Sequence, residues 1–529
     1  MRRLLALWLL LLLLWPLAAG AEPPDTGRIA HILDRGRLIV GVKADYPPWG
    51  IRDATGAIVG IEPDLAAELA RRLGVGLELR PVSAANRLQL LDQGAIDLVI
   101  ATMGDTEERR RMADVIQPPY GQSGVGLFVR PGFPFTDWGQ LRGRAICLTA
   151  GAYYNRPLAE LYLVEALTFP TNATALQALL DGRCVGWAFD TTLARSTLAA
   201  DARGLTETPL PQILTVPWVM AVARGEGAAP LGRFVADTVA EWHRTGFLID
   251  RRAAHGLPET AFLAQMRRLW SAEGLCLRLP DGQWPAECLA GRGLRTGGAP
   301  VALPLWAGRI AAATGLDLGV LFDPFARAAL ARGVWLTVGL SATAIAGSIL
   351  AGVALGMADH AAARLWLLRL PVRGVVTVAR MVPPILQLYI VFFGLGSLMA
   401  SRWGITPGAF VVAGAILSAY AGASNAVMIS AALKMEQAQR PDARLTTLLP
   451  AALLRSFDGL VAVSVNIVKA AGMASAIALT EIIATVNALV AQGASPVVLM
   501  NLLLLFYFLF VMAVVAIFRA ARRLLGVGR

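Results

Sequence analysis

At 529 residues, 56% of them hydrophobic and 16% charged, with a formal net charge of +11, the chain is too long for one ordinary domain and has a membrane-like average composition. The positive balance does not mark nucleic-acid binding, because no basic block is interleaved with aromatics and the arginines after Gly333 lie mostly between apolar runs. The three lysines, Lys43, Lys434 and Lys469, close no GxxxxGK[ST] phosphate loop, which excludes ATP hydrolysis by that device.

The chain starts with Arg2 and Arg3, an apolar stretch from Leu4 to Leu17, and small residues up to Ala21. This reads as a signal peptide over 1–21, with an uncleaved anchor helix as the alternative; either one exports the domain after it. All four cysteines, Cys147, Cys184, Cys276 and Cys288, lie in the exported part. An even count in an oxidising compartment favours two disulfides, and spacing suggests Cys276–Cys288 and Cys147–Cys184. No CxxC or HxxxH pair offers a metal site, and His31, His243, His255 and His360 are scattered.

From residue 22 to about 270, short β-type runs alternate with amphipathic helices: RLIVGVKA, then DLAAELARRLGV, LELRPV, NRLQLLDQG and AIDLVIATM. A second cycle begins at RAICLTAG and reaches CVGWAFD through a helix at ATALQALLDG. The rhythm predicts a mostly parallel sheet with ligand at the carboxyl ends of its strands, in two lobes with a cleft between them.

The succession RLIVGVKADYPPWG, GIEPDLAAELARRLGV, IDLVIATMGDTEERR and GRCVGWAFD resembles periplasmic amino-acid-binding proteins of the solute-binding family 3 type. That resemblance implies two α/β lobes closing on an amino acid, with no cofactor and no metal. Arg109 stands at the family's carboxylate-binding arginine, where a guanidinium gives two parallel charge-assisted bonds; its local sequence alone reads as a solvated charge. Thr102 matches a ligand-binding hydroxyl, and Gly104 replaces a frequent Ser or Thr, leaving only backbone. Asp190 matches the carboxylate that pairs the α-ammonium, and also reads as a helix N-cap. Asp45 and Tyr46 match residues at the ligand's side-chain end and stem, while Trp49 reads equally as a lobe-packing aromatic. Tyr153 falls in the segment Gly151-Ala152-Tyr153 that departs from the family's usual GTT, and Ala84 lies where an aromatic often completes a stacking sandwich.

Residues 271–332, rich in Gly and Pro and carrying the second cysteine pair, read as a linker with a disulfide-tied loop and an interfacial helix near Leu305. The run Gly333–Met357 has 25 residues without a charge or a histidine, enough to cross a bilayer core of about 30 Å. Four more apolar runs come after it, at about Val375–Met399, Gly408–Leu433, Leu460–Ile483 and Val497–Phe518. Arginines cluster after the first and third runs and at the tail, which puts the amino-terminal side of the first run outside and the C-terminus in the cytoplasm. Arg380 and Lys469 fall inside apolar runs and are expected to face a bundle interior or pathway.

RMVPPILQLYIVFFGL, LLPAALLRSF and NIVKAAGMASAIALTEI resemble the permease subunits of polar amino-acid ABC importers. The resemblance implies a permease over 333–529, a coupling loop in which Glu436 and Ala438 match the EAA signature, and a partner cytoplasmic ABC ATPase. It further implies pairing with a second permease copy or homologue, in membrane lipid. The expected protein is therefore a two-lobed α/β periplasmic binding domain followed by an all-α transmembrane domain of about five helices. Its function would be capture and import of amino acids at a bacterial inner membrane, without enzymatic activity or nucleic-acid binding of its own. An amino-acid-responsive receptor or channel not coupled to ATP is the alternative, favoured by a coupling loop shorter than the family's. An exported enzyme on the same lobes, such as a dehydratase, finds no nucleophile–base spacing.

Overall fold

The computed structural model describes residues 27–133, 135–192, 204–297, 301–362 and 366–524; the segment expected as a signal peptide lies outside them. In chain order the strands are β1 (Arg37–Val42), β2 (Asp45–Tyr46), β3 (Gly50–Arg52), β4 (Ile58–Val59), β5 (Gly76–Pro81), β6 (Leu98–Ile100), β7 (Asp114–Val129), β8 (Ala145–Thr149), β9 (Glu165–Phe169), β10 (Gly186–Asp190), β11 (Thr206–Glu207) and β12 (Ile213–Val222). Apart from the small β2-β3-β4 sheet, they form one sheet in the order β5-β1-β6-β12-β7-β10-β8-β9, with β11 on β7.

Each lobe contributes a parallel part, β5-β1-β6 in the first and β10-β8-β9 in the second. β1 and β10 are almost wholly buried, which is why they read as continuous apolar runs rather than alternating ones. The expected mostly parallel sheet is instead mixed. The chain passes between the lobes twice, out along β7 and back along β12, and these neighbouring traverses pair antiparallel from Ile213↔Val125 to Val222↔Asp114. Two strands thus form both the hinge and the floor of the cleft.

Cys147–Cys184 ties β8 to the approach of β10, and Cys276–Cys288 closes the loop after the Ala261–Trp270 helix. The segment expected as a linker is laid against the first lobe. Trp284 packs edge-on against Trp270 at 5.0 Å and donates to Asp237 at 2.7 Å. Further on, Leu294 exchanges backbone hydrogen bonds with Asp105 and Glu107. The Leu305–Thr314 helix exposes Leu305, Trp306 and Ile310, the surface an interfacial helix needs.

Among the described residues five helices are long and apolar enough to cross a membrane: Pro324–Ala361, Pro384–Trp403, Ala409–Gln439, Phe457–Ile477 and Pro496–Arg523. The first starts nine residues before the uncharged run and takes Arg327 and Arg332 into the helix; 38 residues reach about 57 Å. The second is displaced from its expected span. Pro383 and Pro384 break the chain, so an amphipathic helix over Trp366–Met381 precedes it, carrying Arg380 on an exposed face. Gln387 bridges the break by donating to the Ala379 and Val382 carbonyls, replacing ladder bonds the prolines remove. Lys469, also expected inside, is exposed on the surface of the single chain.

The first and third spanning helices approach through small residues, the means by which helices gain van der Waals contact in lipid. A Cβ at Gly352 would stand 2.4 Å from the Asn425 Cβ, and one at Gly422 would stand 2.7 Å from the Ala351 Cβ. Asn425 donates to the Ser348 carbonyl at 3.2 Å across the same seam. Gly352→Leu is therefore expected to destabilise the purified chain by about 1–3 kcal/mol, the usual cost of overpacking, and to lower its thermal unfolding midpoint. Gly374→Leu, with nothing within 4 Å of its Cβ position, is the control that leaves the midpoint unchanged.

Candidate functional site

Between the lobes, at the carboxyl ends of β1, β8 and β10, lies a pocket lined by Lys43, Tyr46, Arg87, Thr102, Arg109, Tyr153 and Asp190, with Ala84, Thr149, Asn172 and Phe189 among its other walls. Its free volume is about 30 Å³, room for the centres of about two waters. The lobes are shut over it. Tyr46 from the first lobe donates to Asp190 of the second at 2.6 Å, and the Asn172 amide reaches the Asp45 carbonyl at 3.4 Å.

Local sequence explains how each wall is held. Arg109 sits on the helical turn Glu107–Arg110, capped by the Thr106 hydroxyl, which accepts from the Arg109 amide. Its guanidinium donates to the carbonyls of Gly104 at 2.8 Å and Gly151 at 3.3 Å and lies 5.7 Å from the Tyr153 ring centre. Gly151 has φ +77°, and a Cβ there would stand 2.6 Å from the Ala84 carbonyl carbon and the Ala85 nitrogen. Only glycine allows this close approach of the lobes. Thr102 holds φ +45°, strained for a β-branched residue. Its N–H is fixed in that orientation by the Glu62 carboxylate and by the Tyr120 hydroxyl at 2.9 Å.

Burial dominates the electrostatics. It raises the Asp190 carboxyl to about 6 and the Glu62 carboxyl to about 7. Burial also lowers the Arg109 guanidinium to about 10, and lowers Arg87 to about 9 with help from the nearby charge of Arg109. One oxygen of Asp190 takes the Tyr46 hydroxyl and the other has no hydrogen-bond partner among the described residues. A buried pocket with fixed donors on one side and a bare carboxylate oxygen on another suits a small zwitterion held at both poles.

Of the residues singled out by sequence, the structure brings Tyr46, Thr102, Arg109, Tyr153 and Asp190 together, and Gly104 joins them through its carbonyl. Trp49 stands outside the pocket: it is 1% exposed, edge-on to Trp218 at 4.8 Å, and covered by the Arg252 guanidinium at 5.2 Å. Of its two readings the structure adopts lobe packing. Asp45 lies at the rim, ion-paired to Lys43 at 3.3 Å. Lys43, Arg87, Thr149 and Asn172 are site residues that the sequence alone does not single out. Lys43 stands just past the end of β1, where a parallel sheet places its ligands, and that position is the available signal. Arg87 is hidden in the amphipathic pattern of NRLQLLDQG.

The pocket adjoins the helical region. Tyr153 also lines a second cavity of about 260 Å³, whose other walls include Glu108, Arg156, Asp323, Leu489 and Gly493. Around it the second lobe is pinned to one end of the helical bundle. Arg156 makes a two-pronged pair with Asp323, the N-cap of the first spanning helix, at 2.6 and 3.1 Å. Arg183 donates to the carbonyls of Phe392 at 2.6 Å and Pro407 at 2.9 Å and lies over the Phe392 ring at 3.6 Å. Ser397 donates to Asp181 at 2.7 Å. At the far end of the bundle, Arg369 and Arg373 pair with Asp359, each at 3.0 Å. There too Glu436, buried, pairs at 2.8 Å with Arg455 of the short Leu445–Arg455 helix, while Ala438 is exposed.

Comparison with known proteins bears on the lobes. Residues 38–251 match the family of bacterial extracellular solute-binding proteins, family 3. The chain is 31% identical over 162 residues to the L-cystine-binding protein TcyJ of Escherichia coli, covering 30% of this chain and 60% of that protein. It is 33% identical over 177 residues to a glutamine-binding protein of Geobacillus stearothermophilus, covering 31% and 66%. It is 27% identical over 172 residues to the cyclohexadienyl dehydratase of Pseudomonas aeruginosa, covering 32% and 64%. The chain thus spans about 60% of the cystine-binding relative's length. Among solved structures, a mutant of ArgBP from T. maritima aligns with 26% identity and a TM-score of 0.41, over 44% of this chain and 99% of that one. Residues 38–251 are a solute-binding domain of family 3, followed by an all-helical region with helices long and apolar enough to cross a membrane.

Proposed function

We propose that this chain is the fused binding and permease component of an ABC-type importer for amino acids, with 22–270 as the capture domain and 333–529 as the permease. In this reading Arg109 holds the α-carboxylate, Asp190 takes the α-ammonium, and Tyr46 and Thr102 close around the backbone of the ligand. The observation that carries it is the continuity from the closed pocket through Tyr153 to the cavity at the head of the spanning helices. A receptor whose only task was capture would need no such contact. Covalent tethering would hold the capture domain at an effective concentration of up to millimolar order beside its permease.

The binding lobes and the arginine-rich loops occupy opposite ends of the bundle, which supports lobes in the periplasm and loops in the cytoplasm of a bacterial inner membrane. The Leu445–Arg455 helix, clamped to the third spanning helix through Glu436 and Arg455, is the element that would meet a separate ATPase subunit. A second permease copy would complete the pathway, and Lys469, exposed on the single chain, belongs in this reading to the surface facing it. The dehydratase among the relatives makes turnover the competing use of the pocket. Capture instead leaves the ligand unchanged when it is recovered from the complex.

Two measurements test this. Below about pH 6 the Asp190 carboxyl is protonated in the empty pocket and must give up its proton to pair an ammonium group. Amino-acid affinity measured by calorimetry on the purified chain is therefore expected to be flat above about pH 7. Towards pH 5 it should fall, approaching tenfold per unit below the Asp190 value; a flat profile would remove Asp190 from the ammonium site. Arg183→Ala, outside the pocket, should leave amino-acid affinity within about threefold. In proteoliposomes containing the chain and its ATPase it should lower uptake of the labelled amino acid at least tenfold, while unchanged uptake would show that the docked arrangement is not on the transport path.

A further inference from the structure

The cations in the pocket outnumber the groups an ordinary amino acid could supply. Lys43, Arg87 and Arg109 line it against a single lining carboxylate, Asp190. Arg87 is 2% exposed and donates to the Ala101 carbonyl through Nη1, while its Nε has no hydrogen-bond partner. Among the described residues no acidic oxygen stands within ion-pair distance of it or of Arg109. Lys43 is 4% exposed, and its one ion-pair partner among them is Asp45, a carboxylate whose side chain is 37% exposed to solvent and therefore weakened by water. Glu62 stands nearby behind the wall: its Oε1 accepts from the Thr102 N–H and the Tyr120 hydroxyl, and its Oε2 has no hydrogen-bond partner among the described residues. Burial raises its carboxyl to about 7, which leaves it only partly charged near neutrality.

A zwitterionic ligand with a neutral side chain answers Arg109 with its carboxylate and Asp190 with its ammonium, and leaves Arg87 without a counter-ion. A cationic side chain adds a further positive charge to a closed space that already holds three cations and the ligand's ammonium. A buried charge is stable only when paired. Resting on the amino-acid reading given above, we propose that the ligand is an amino acid whose side chain ends in a carboxylate, seated between Arg87 and Lys43. Arg109 on the α-carboxylate, Arg87 and Lys43 sharing the side-chain carboxylate with Asp45 behind Lys43, and Asp190 on the ammonium then give each charge lining the pocket a partner. Specificity comes as much from the penalty on amides and cations as from the bonds to the acid.

The test is calorimetric titration of the full-length chain in lipid nanodiscs with L-glutamate, L-aspartate, L-glutamine, L-arginine and L-cystine. Glutamate or aspartate is expected to bind on the order of 100-fold more tightly than glutamine or arginine. Arg87→Met should cost the acidic ligand on the order of 100-fold and cost glutamine at least tenfold less than that, and Lys43→Met should act in the same direction. Glutamine, arginine or cystine binding as tightly as the acids would overturn the inference while leaving the amino-acid reading intact. Equal losses for glutamate and glutamine in both variants would also overturn it. Binding of none of the five by the unaltered chain would instead sink the amino-acid reading, and this inference with it.

Discussion

The pair between Arg156 and Asp323 is the constraint on which the rest of the molecule depends. Asp323 caps the first of the helices long and apolar enough to cross a membrane, and Arg156 belongs to the helix that comes after the Gly151–Tyr153 wall of the pocket. Both side chains are about 15% exposed, 14% and 15%, and the Arg156 guanidinium also covers the Phe325 ring at 4.7 Å. A two-pronged, partly desolvated contact of this kind fixes orientation as well as distance. It makes the first spanning helix begin where the ligand pocket ends. Arg183 on Phe392 and Pro407 repeats the arrangement on the second of these helices and on the loop before the third, so the second lobe is held at two points and cannot swivel about one.

The first lobe is held differently. The turn bearing Arg109 lies between the tied-down segment Leu294–Gly297 and the loop at Gly493. Thr296 and Gly297 bond the Glu108 carboxylate at 2.8 and 2.7 Å, and a Cβ at Gly493 would stand 3.1 Å from the Glu108 carbonyl. The residue assigned to the ligand's carboxylate is therefore adjacent in sequence to one gripped from both sides by parts of the chain outside the lobes. With the lobes hinged on β7 and β12, opening the cleft must either move this turn against Gly493 or move the second lobe against Asp323. Closure of the pocket and the arrangement of the bundle head are mechanically linked through these two contacts.

Much of the fold is legible in the sequence because its signals are local. Continuous apolar runs mark the central strands, Gly74 in a left-handed cap ends the Ile61–Leu73 helix where the periodicity stops, and long apolar stretches mark five helices able to cross a membrane. The hidden features depend on non-local pairing. The antiparallel crossing of β7 and β12 comes from two passes between lobes, not from either strand's composition. The starts of the first and second of these helices each differ by nine residues from the apolar runs, because the first extends back through Arg327 and Arg332, while Pro383 and Pro384 break the chain before the second. In the site, Arg109 and Asp190 carry a recognisable motif, whereas Lys43 and Arg87 do not. A buried arginine in an amphipathic helix looks like any surface arginine until the opposing lobe closes over it. Trp49 is ambiguous for the converse reason: an aromatic suits a ligand stem and a hydrophobic core equally, and only Trp218 and Arg252 against its ring distinguish them.

The central claim, that capture in the lobes drives passage through the helices, is tested most directly by ATP hydrolysis. The measurement is the rate shown by the chain assembled with its cytoplasmic ATPase subunit in nanodiscs, with and without the amino acid that fills the pocket. The account predicts that a closed, loaded pocket raises the rate several-fold. A complex that assembles and hydrolyses ATP at the same rate whether the pocket is full or empty would contradict it.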